Sequence, residues 1–268
     1  MSSTRDAVGD QLRYEVDGQT ARITINRPEQ RNALTWDVVA AMRACLAAAG
    51  ADPEVRVVVL SGTGERAFCS GVDLGGMAGG DPVALHEARG QLARLFEDLW
   101  SLGKPTIAAV RGFALAGGMG LALSCDLVVA TDDAVFGTPE IDVGLWPFMI
   151  TVPLIRSMPP KRALELMMTG RRVGADEARS LGFVNEVVPA ADLDDTVVRV
   201  ATTLAAKPPG AMRIGRTSFY ETLDLTSSEA LARLHVLLGE VAEGEEAAEG
   251  IAAFREKRPP SWQREERG

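Results

Sequence analysis

Cysteine and histidine are scarce in this chain of 268 residues, which contains three cysteines and two histidines. Cys45, Cys69 and Cys125 are odd in number, lie among apolar or small residues and form no CxxC pair. This pattern argues against a disulfide framework and against a zinc site. His86 and His235 fall on separate predicted helices, which gives no support to a Ser-His-Asp triad. We therefore expect reduced thiols, a cytoplasmic location and no metal ion.

Excess positive charge, long apolar runs and nucleotide motifs are also lacking. The formal net charge is −9, so a nucleic-acid-binding surface is not expected. The N-terminus lacks the apolar run of a signal peptide. The charge-free run between Arg111 and Asp126 is too short and too rich in glycine to span a bilayer. No GxGxxG fingerprint or P-loop is present, which counts against nucleotide binding. We predict no membrane and no nucleic-acid partner.

Apolar residues and glycines are abundant, at 46% of the chain and 27 residues respectively. This composition is typical of an α/β protein, and the length fits one large domain or a domain with an appendage. An apolar strand, a turn and a glycine-bearing loop recur at residues 55–73, 106–120 and 126–144. The end of the chain reads as amphipathic helices. We predict an α/β core over residues 1–200 and a helical region over residues 201–268 that forms a lid or subunit contacts.

Turn and cap residues place several local elements. Asp17 and Gly18, between two apolar alternating segments, predict a β-hairpin. Thr35 predicts the N-cap of an alanine-rich helix that continues to about Ala49. Residues 75–81 have glycine and no periodicity, which indicates a mobile segment near a site.

The most informative stretch is the glycine cluster at residues 114–120 (ALAGGMG), which lies between a strand candidate and a buried helix candidate. Glycines at such a junction let unpaired backbone N–H groups approach a ligand, and a helix N-terminus favours negative charge. Close helix packing explains such a cluster about equally well. Downstream, Glu140 follows a proline among apolar neighbours. It is a candidate acid or base, although an ordinary helix start also fits.

Six stretches together resemble the crotonase superfamily, also called the enoyl-CoA hydratase/isomerase family. They are residues 25–34 (INRPEQRNAL), 67–74 (AFCSGVDL), 104–112 (KPTIAAVRG), 116–126 (AGGMGLALSCD), 136–144 (FGTPEIDVG) and 254–260 (FREKRPP). The stretches occur in the order and with the spacing of the family, and the resemblance extends over nearly the whole chain. The resemblance implies an α/β fold built as a spiral of ββα units with a helical C-terminal region. It also implies an enzyme acting on coenzyme A thioesters without a separate cofactor, as a homotrimer or a dimer of trimers.

The resemblance also implies roles for individual residues. In this family two backbone N–H groups, the oxyanion hole, hold the thioester oxygen, and by motif position these belong to Val72 and Gly117. Asp73 is interpreted as a residue that holds this loop. Substrate contacts are expected from neighbours of these groups and from cations that meet the phosphates of coenzyme A: Ala67, Ser70, Gly71, Gly118, Gly120, Trp146, Phe148, Arg27, Arg66 and Lys257. Each cation alone is more often a solvated surface charge.

Gly120 departs from the hydratases of the family, in which a glutamate at this position activates water together with the equivalent of Glu140. Here Glu140 would be the only acid and base, and the apolar Trp146 and Phe148 would raise its pKa and exclude water. These features favour 3-enoyl to 2-enoyl-CoA isomerisation.

Two alternatives to isomerisation stay open, and a third is set aside. Hydration of 2-enoyl-CoA in the degradation of fatty acids or related acyl groups, and an inactive acyl-CoA-binding protein, both remain open. Dienoyl-CoA isomerases carry acids at the positions of Gly120 and Phe148, so that reaction is set aside. A Gly120→Glu chain is expected to fold unless the new side chain meets Trp146 or Phe148.

Overall fold

The computed structural model describes residues 3–6, 10–73, 75 and 81–263. The described strands are β1 (Ser3–Asp6), β2 (Leu12–Asp17), β3 (Thr20–Ile25), β4 (Val57–Gly62), β5 (Ala67–Cys69), β6 (Thr106–Val110), β7 (Phe113–Leu115), β8 (Leu127–Thr131), β9 (Val135–Gly137), β10 (Arg172–Gly174) and β11 (Glu186–Val188). The described α-helices are α1 (Trp36–Ala51), α2 (Pro82–Ser101), α3 (Gly117–Ser124), α4 (Thr151–Ser157), α5 (Pro160–Thr169), α6 (Ala175–Leu181), α7 (Leu193–Ala205), α8 (Pro209–Thr222), α9 (Ser227–Ala242) and α10 (Glu245–Glu256). Short 3₁₀ helices cover Pro28–Gln30, Pro139–Val143 and Ala190–Asp192.

Two sheets organise these elements. The larger has the order β1-β2-β3-β4-β6-β8-β11, in which β1 to β3 pair antiparallel and the remaining pairs are parallel. The smaller has the order β10-β9-β7-β5, and β5, β7 and β9 are parallel. Every residue of β6 is buried, as expected for a parallel strand covered on both faces. The predicted α/β class is confirmed.

The elements predicted from turn and cap residues are present in the structure. β2 and β3 make the hairpin, and Gly18 in its turn has φ +54°, a left-handed conformation that glycine adopts without strain. Thr35 caps α1, because its hydroxyl accepts a hydrogen bond from the Val38 N–H at 3.2 Å. The hairpin and the helix are therefore confirmed.

Helix α7 covers the outer face of the larger sheet. Val197 and Ala201 of this helix are buried in one cluster with Val59 and Ile107 of the sheet. The predicted boundary at residue 200 lies inside α7, whose apolar face covers the sheet. The division into a core and a helical region stays a prediction.

Helices α8, α9 and α10 carry large apolar side chains on their surface. Phe219, Leu231, Leu238 and Phe254 are each exposed by 60% or more. Exposed apolar surface of this kind is typical of an interaction site, so subunit contacts at this end of the chain stay a prediction. No helix within the described ranges is long and apolar enough to cross a membrane.

Candidate active site

Three parallel strands of the smaller sheet end side by side. The register pairs β5 with β7 and β7 with β9, so the loops that follow the three strands meet at one edge of the sheet. The carboxyl ends of parallel strands are the usual place for a ligand site in α/β sheets. Val72 lies three residues after β5, Gly117 two residues after β7 and Glu140 three residues after β9. The fold therefore brings together the three residues that the sequence predicts as the centre of the site.

Leu34 holds the backbone on both sides of Val72. The Leu34 N–H donates to the Gly71 carbonyl at 2.8 Å, and the Asp73 N–H donates to the Leu34 carbonyl at 2.8 Å. In such a parallel bridge the N–H of the middle residue points to the opposite side. The Val72 N–H has no hydrogen-bond acceptor among the described residues. Ser70 lies half-buried in the same loop.

Gly117 is the first residue of α3, where helix N–H groups have no intrahelical partner. The first hydrogen bond of this helix runs from the Gly120 N–H to the Ala116 carbonyl at 3.1 Å. A Cβ atom added to Gly117 would lie 3.7 Å from the Val72 nitrogen, so the two backbones are in contact. Two neighbouring donors without acceptors in the described residues can hold one anionic oxygen.

The other glycines of these loops allow close packing. Gly71 has φ +100°, and a Cβ atom there would lie 2.7 Å from the Cβ of Ala116. A Cβ atom on Gly118 would lie 2.2 Å from the Cys69 carbonyl oxygen. Ala116 itself has φ +50° directly before α3, a strained conformation for a residue with a side chain, and such strain concentrates at functional sites. Gly71 and Gly118 thus let α3 approach β5, while Gly117 presents its N–H.

Glu140 is half-buried in the 3₁₀ helix that begins at Pro139. Its Oε2 is buried and has no hydrogen-bond partner in the part of the chain that the structure describes. Burial raises the pKa of Glu140 to about 7, although the residue's own backbone N–H acts in the opposite direction. The predicted rise is confirmed in direction. A carboxyl group that titrates near neutral pH can act as a base and as an acid in one reaction.

Asn32 fastens the first loop to β5, a role that the sequence did not reveal. It is fully buried with φ +56°. Its Oδ1 accepts from the Arg27 N–H at 3.0 Å, and its Nδ2 donates to the carbonyls of Thr63 at 3.0 Å and of Ala67, which is buried in β5, at 2.6 Å. Asparagine tolerates a left-handed backbone conformation better than most residues. This preference is the one sequence feature that could have indicated a special role for Asn32.

Within the described ranges, this edge has no cluster of metal-ligating side chains and no reactive thiol. No group of three or more histidine, cysteine, aspartate or glutamate side chains there could hold a metal ion. Burial raises the pKa of Cys69 to about 12, so its thiol is not a nucleophile at neutral pH. The sequence predicts a mobile segment at residues 75–81. Residues 76–80 of this segment, and the preceding residue 74, lie outside the described residues.

Comparisons with known proteins agree with this geometry. Residues 15–265 match the family model described as enoyl-CoA hydratase/isomerase. The chain belongs to the enoyl-CoA hydratase/isomerase family. It is 34% identical over 245 residues to the short-chain-enoyl-CoA hydratase of Clostridium acetobutylicum, with 91% of this chain and 94% of that protein covered. It is 39% identical over 216 residues to the carnitinyl-CoA dehydratase of Proteus mirabilis, with 79% and 82% covered.

The crystal structure of an enoyl-CoA hydratase from Mycobacterium smegmatis superposes with a TM-score of 0.91 at 35% identity, covering 95% of this chain and 99% of that one. The crotonase-like fold is thereby confirmed. This chain is an enzyme of the hydratase/isomerase family that acts on acyl-CoA.

The predicted cations of this family member differ in their surroundings. The Arg27 guanidinium donates to the Ala33 carbonyl and contacts Asp73 Oδ2 at 3.3 Å. These donors hold the loop that carries Val72, and the predicted contact of Arg27 with a phosphate stays a prediction. Asp73 holds the loop as expected. Arg66 and Lys257 are exposed.

The apolar segment after Glu140 also differs from the expectation. Trp146 is half-buried and packs against the main core. Phe148 is 72% exposed, so it does not enclose Glu140 within this chain, and that prediction is corrected. The Phe148 N–H donates to the Trp146 carbonyl at 2.8 Å, a tight turn that leaves Phe148 on the surface. Ile150, in contrast, is buried, at 2% exposure.

Gly120 is a packing position in this family member. A Cβ atom there would lie 2.2 Å from Cγ2 and 2.9 Å from Cβ of Ile150, and 3.1 Å from Cζ of Phe96. The expectation that Gly120→Glu folds unless its side chain meets Trp146 or Phe148 names the wrong neighbours. The obstruction is Ile150 and Phe96 rather than Trp146 or Phe148.

Proposed function

We propose that this enzyme isomerises 3-enoyl-CoA to 2-enoyl-CoA, with Glu140 as the only acid and base. The observation that carries the proposal is the buried Oε2 of Glu140, which has no hydrogen-bond partner among the described residues and lies in a loop at the same sheet edge as the two backbone donors, with no side chain at position 120. Isomerisation needs one group that takes a proton from one carbon and returns it to another. Hydration needs a positioned water in addition.

The reaction follows in two proton transfers. The Glu140 carboxylate removes a proton from C2 of the 3-enoyl thioester, and the electron pair of that C–H bond moves toward the thioester oxygen. The N–H groups of Val72 and Gly117 stabilise the negative oxygen of this enolate. Neutral Glu140 then returns the proton to C4, the C3=C4 bond becomes a C2=C3 bond, and the thioester carbonyl forms again. Only a proton moves, so the coenzyme A part of the substrate is the only coenzyme required.

Binding of the coenzyme and assembly are further parts of the proposal. Arg66 and Lys257 are exposed and would meet the phosphates of coenzyme A. A homotrimer or a dimer of trimers would bury the exposed apolar side chains of α8, α9 and α10.

Hydration of 2-enoyl-CoA is the second candidate, and the names of the relatives from Clostridium acetobutylicum and Mycobacterium smegmatis favour it. An inactive acyl-CoA-binding protein is the third. Glu140 counts against the third, because a buried carboxyl with a raised pKa destabilises the folded state and has no purpose without catalysis.

A substrate panel tests the proposal. The wild type is offered 3-enoyl-, 2-enoyl- and 3-hydroxyacyl-CoA thioesters of matched chain length, and ultraviolet absorbance and oxygen-18 incorporation from labelled water are followed together. We expect conversion of 3-enoyl-CoA without label, and Glu140→Gln should abolish it while acyl-CoA binding persists. Labelled 3-hydroxyacyl-CoA formed faster than the isomer would favour hydration, and no conversion of any thioester would favour the inactive protein.

A further inference from the structure

The obstruction beside Gly120 differs in kind from the one beside Gly118. At Gly118 the nearest atoms are the backbone oxygen and carbon of Cys69, which no substitution removes. At Gly120 the three nearest atoms all belong to the side chains of Ile150 and Phe96. Position 120 is therefore closed by replaceable side chains, and the closest of them is Ile150.

Ile150 is held by the same segment that carries the base. The Leu145 N–H donates to the Glu140 carbonyl at 2.9 Å, and the Leu154 N–H donates to the carbonyl of Ile150, the N-cap residue of α4, at 3.0 Å. These bonds fix the two ends of the segment between Glu140 and α4. The backbone of Ile150 is thus fixed, and its side chain packs against α3 at position 120.

The hydrocarbon at this place has a chemical consequence. A buried water is stable only where it finds two to four polar partners. Glu140 offers one carboxylate, whereas Ile150 and Phe96 present only carbon atoms toward position 120. A water that could attack the substrate would find no hydrogen-bond acceptor at position 120 in addition to the Glu140 carboxylate. A proton transfer by Glu140 alone would be unaffected.

We propose that Ile150 is a specificity-determining residue, which suppresses hydration by filling the volume that the first carbon of a side chain at position 120 would occupy, so that no carboxylate can be carried there. This inference rests on the proposed isomerisation by Glu140. Gly120 and Ile150 form a coupled pair: a glutamate at position 120 is compatible with the fold only when the branched side chain at position 150 is absent.

A stability cycle tests the coupling without any substrate. Gly120→Glu alone should lower the melting temperature strongly or give no soluble protein, because overpacking a core displaces its neighbours. Adding Ile150→Gly removes both Ile150 atoms within 3 Å and should restore part of the loss. The matched control adds Ile150→Val, which keeps the Cβ and Cγ2 atoms and should restore nothing. Equal melting temperatures for the two double variants would overturn the coupling.

Activity of the Gly120→Glu/Ile150→Gly variant tests the specificity. We expect hydration of a short 2-enoyl-CoA to rise about a hundredfold over the wild type, the lower end of the range for a positioned acid or base. A folded double variant that still exchanges substrate α-protons with deuterium oxide, but shows no rise, would overturn the inference and leave the role of Glu140 intact. A wild type that hydrates faster than it isomerises would instead overturn the proposed function. If the double variant is not soluble, Ile150→Gly alone is compared with Ile150→Val: equal stability and equal water incorporation would also overturn the inference.

Discussion

The Arg216 guanidinium donates from Nε to Asp126 Oδ2 at 2.7 Å, and this pair joins helix α8 to the core. The same carboxylate accepts from the Thr106 N–H at 2.7 Å and from the Tyr220 hydroxyl at 2.6 Å. Arg216 also donates to the carbonyls of Trp100 and Leu99 at the end of α2. The C-terminal helices are thus anchored where α2 ends, where β6 begins and where α3 has just ended.

Replacement of Arg216 by leucine should lower the free energy of unfolding by about 3 kcal/mol or more, because breaking a buried pair leaves an uncompensated charge. Chemical denaturation measures this loss. The matched control is Arg233→Leu, since Arg233 pairs with Glu221 at 3.5 Å on the surface. That pair should contribute about 0–1 kcal/mol. Equal losses in the two variants would show that the Arg216 pair is energetically an ordinary surface contact.

The rate of isomerisation should depend on pH through Glu140. Only the ionised carboxylate can remove a proton from C2, and its pKa is raised to about 7 by burial. We expect kcat/KM to rise with pH along a limb centred near pH 7, and the limb should be absent from a reaction catalysed by a surface carboxylate. The pH profile of kcat/KM is measured at constant ionic strength. A limb below pH 5 would mean that Glu140 is not the base.

The same pKa makes Glu140 unfavourable for stability at neutral pH. An ordinary glutamate titrates near 4.5, whereas Glu140 titrates at about 7 in the fold. Between these values the folded chain holds a proton that the unfolded chain has lost, so this contribution to stability is present below pH 4.5 and is lost as pH rises to 7.

Glu140→Gln should therefore be more stable than the wild type by about 1–3 kcal/mol at pH 8, and by less at pH 5.5. Denaturant unfolding at the two pH values checks the difference. A gain that is the same at both values would contradict the raised pKa.

The N–H of Gly117 can be removed with little change in shape. Gly117→Pro places proline at the first position of α3, where it is sterically tolerated, and turnover should fall by about a hundredfold or more if this donor holds the enolate oxygen. Gly117→Ala is the control: it keeps the N–H, and its Cβ would meet Val72 Cγ2 at an ordinary 3.5 Å. Near-wild-type turnover in a folded proline variant would remove Gly117 from the mechanism.

Elements with local signals were accessible from the sequence. The hairpin at Gly18, the capped helix after Thr35 and the late helices agree closely with the predictions, because turns, caps and helical periodicity depend on neighbours in the chain. The glycine-bearing loops were also placed correctly, since each follows a short apolar strand. The strand of the unit predicted over residues 55–73 begins at Val57, two residues late, because element ends depend on pairing with other strands.

Contacts between distant residues were not accessible. Nothing around Gly120 indicates that Ile150, thirty residues later, fills the space beside it. The engagement of Arg27 by Asp73 and the exposure of Phe148 likewise depend on how separate loops meet. The sequence alone therefore reveals which groups the site contains, while the space around them follows only from the packed fold.

Both donors at the edge of the smaller sheet are peptide N–H groups, and this affects how such a site can diverge. A codon change at Val72 alters a half-buried side chain but, unless it introduces proline, keeps the donor itself. Mutations at Gly71 or Gly118 are far more constrained, since any side chain there would collide with Ala116 or with the Cys69 backbone. Lineages that descend from this chain can thus change reaction through a few side chains around Glu140 while they inherit the two backbone donors that we propose for the thioester oxygen.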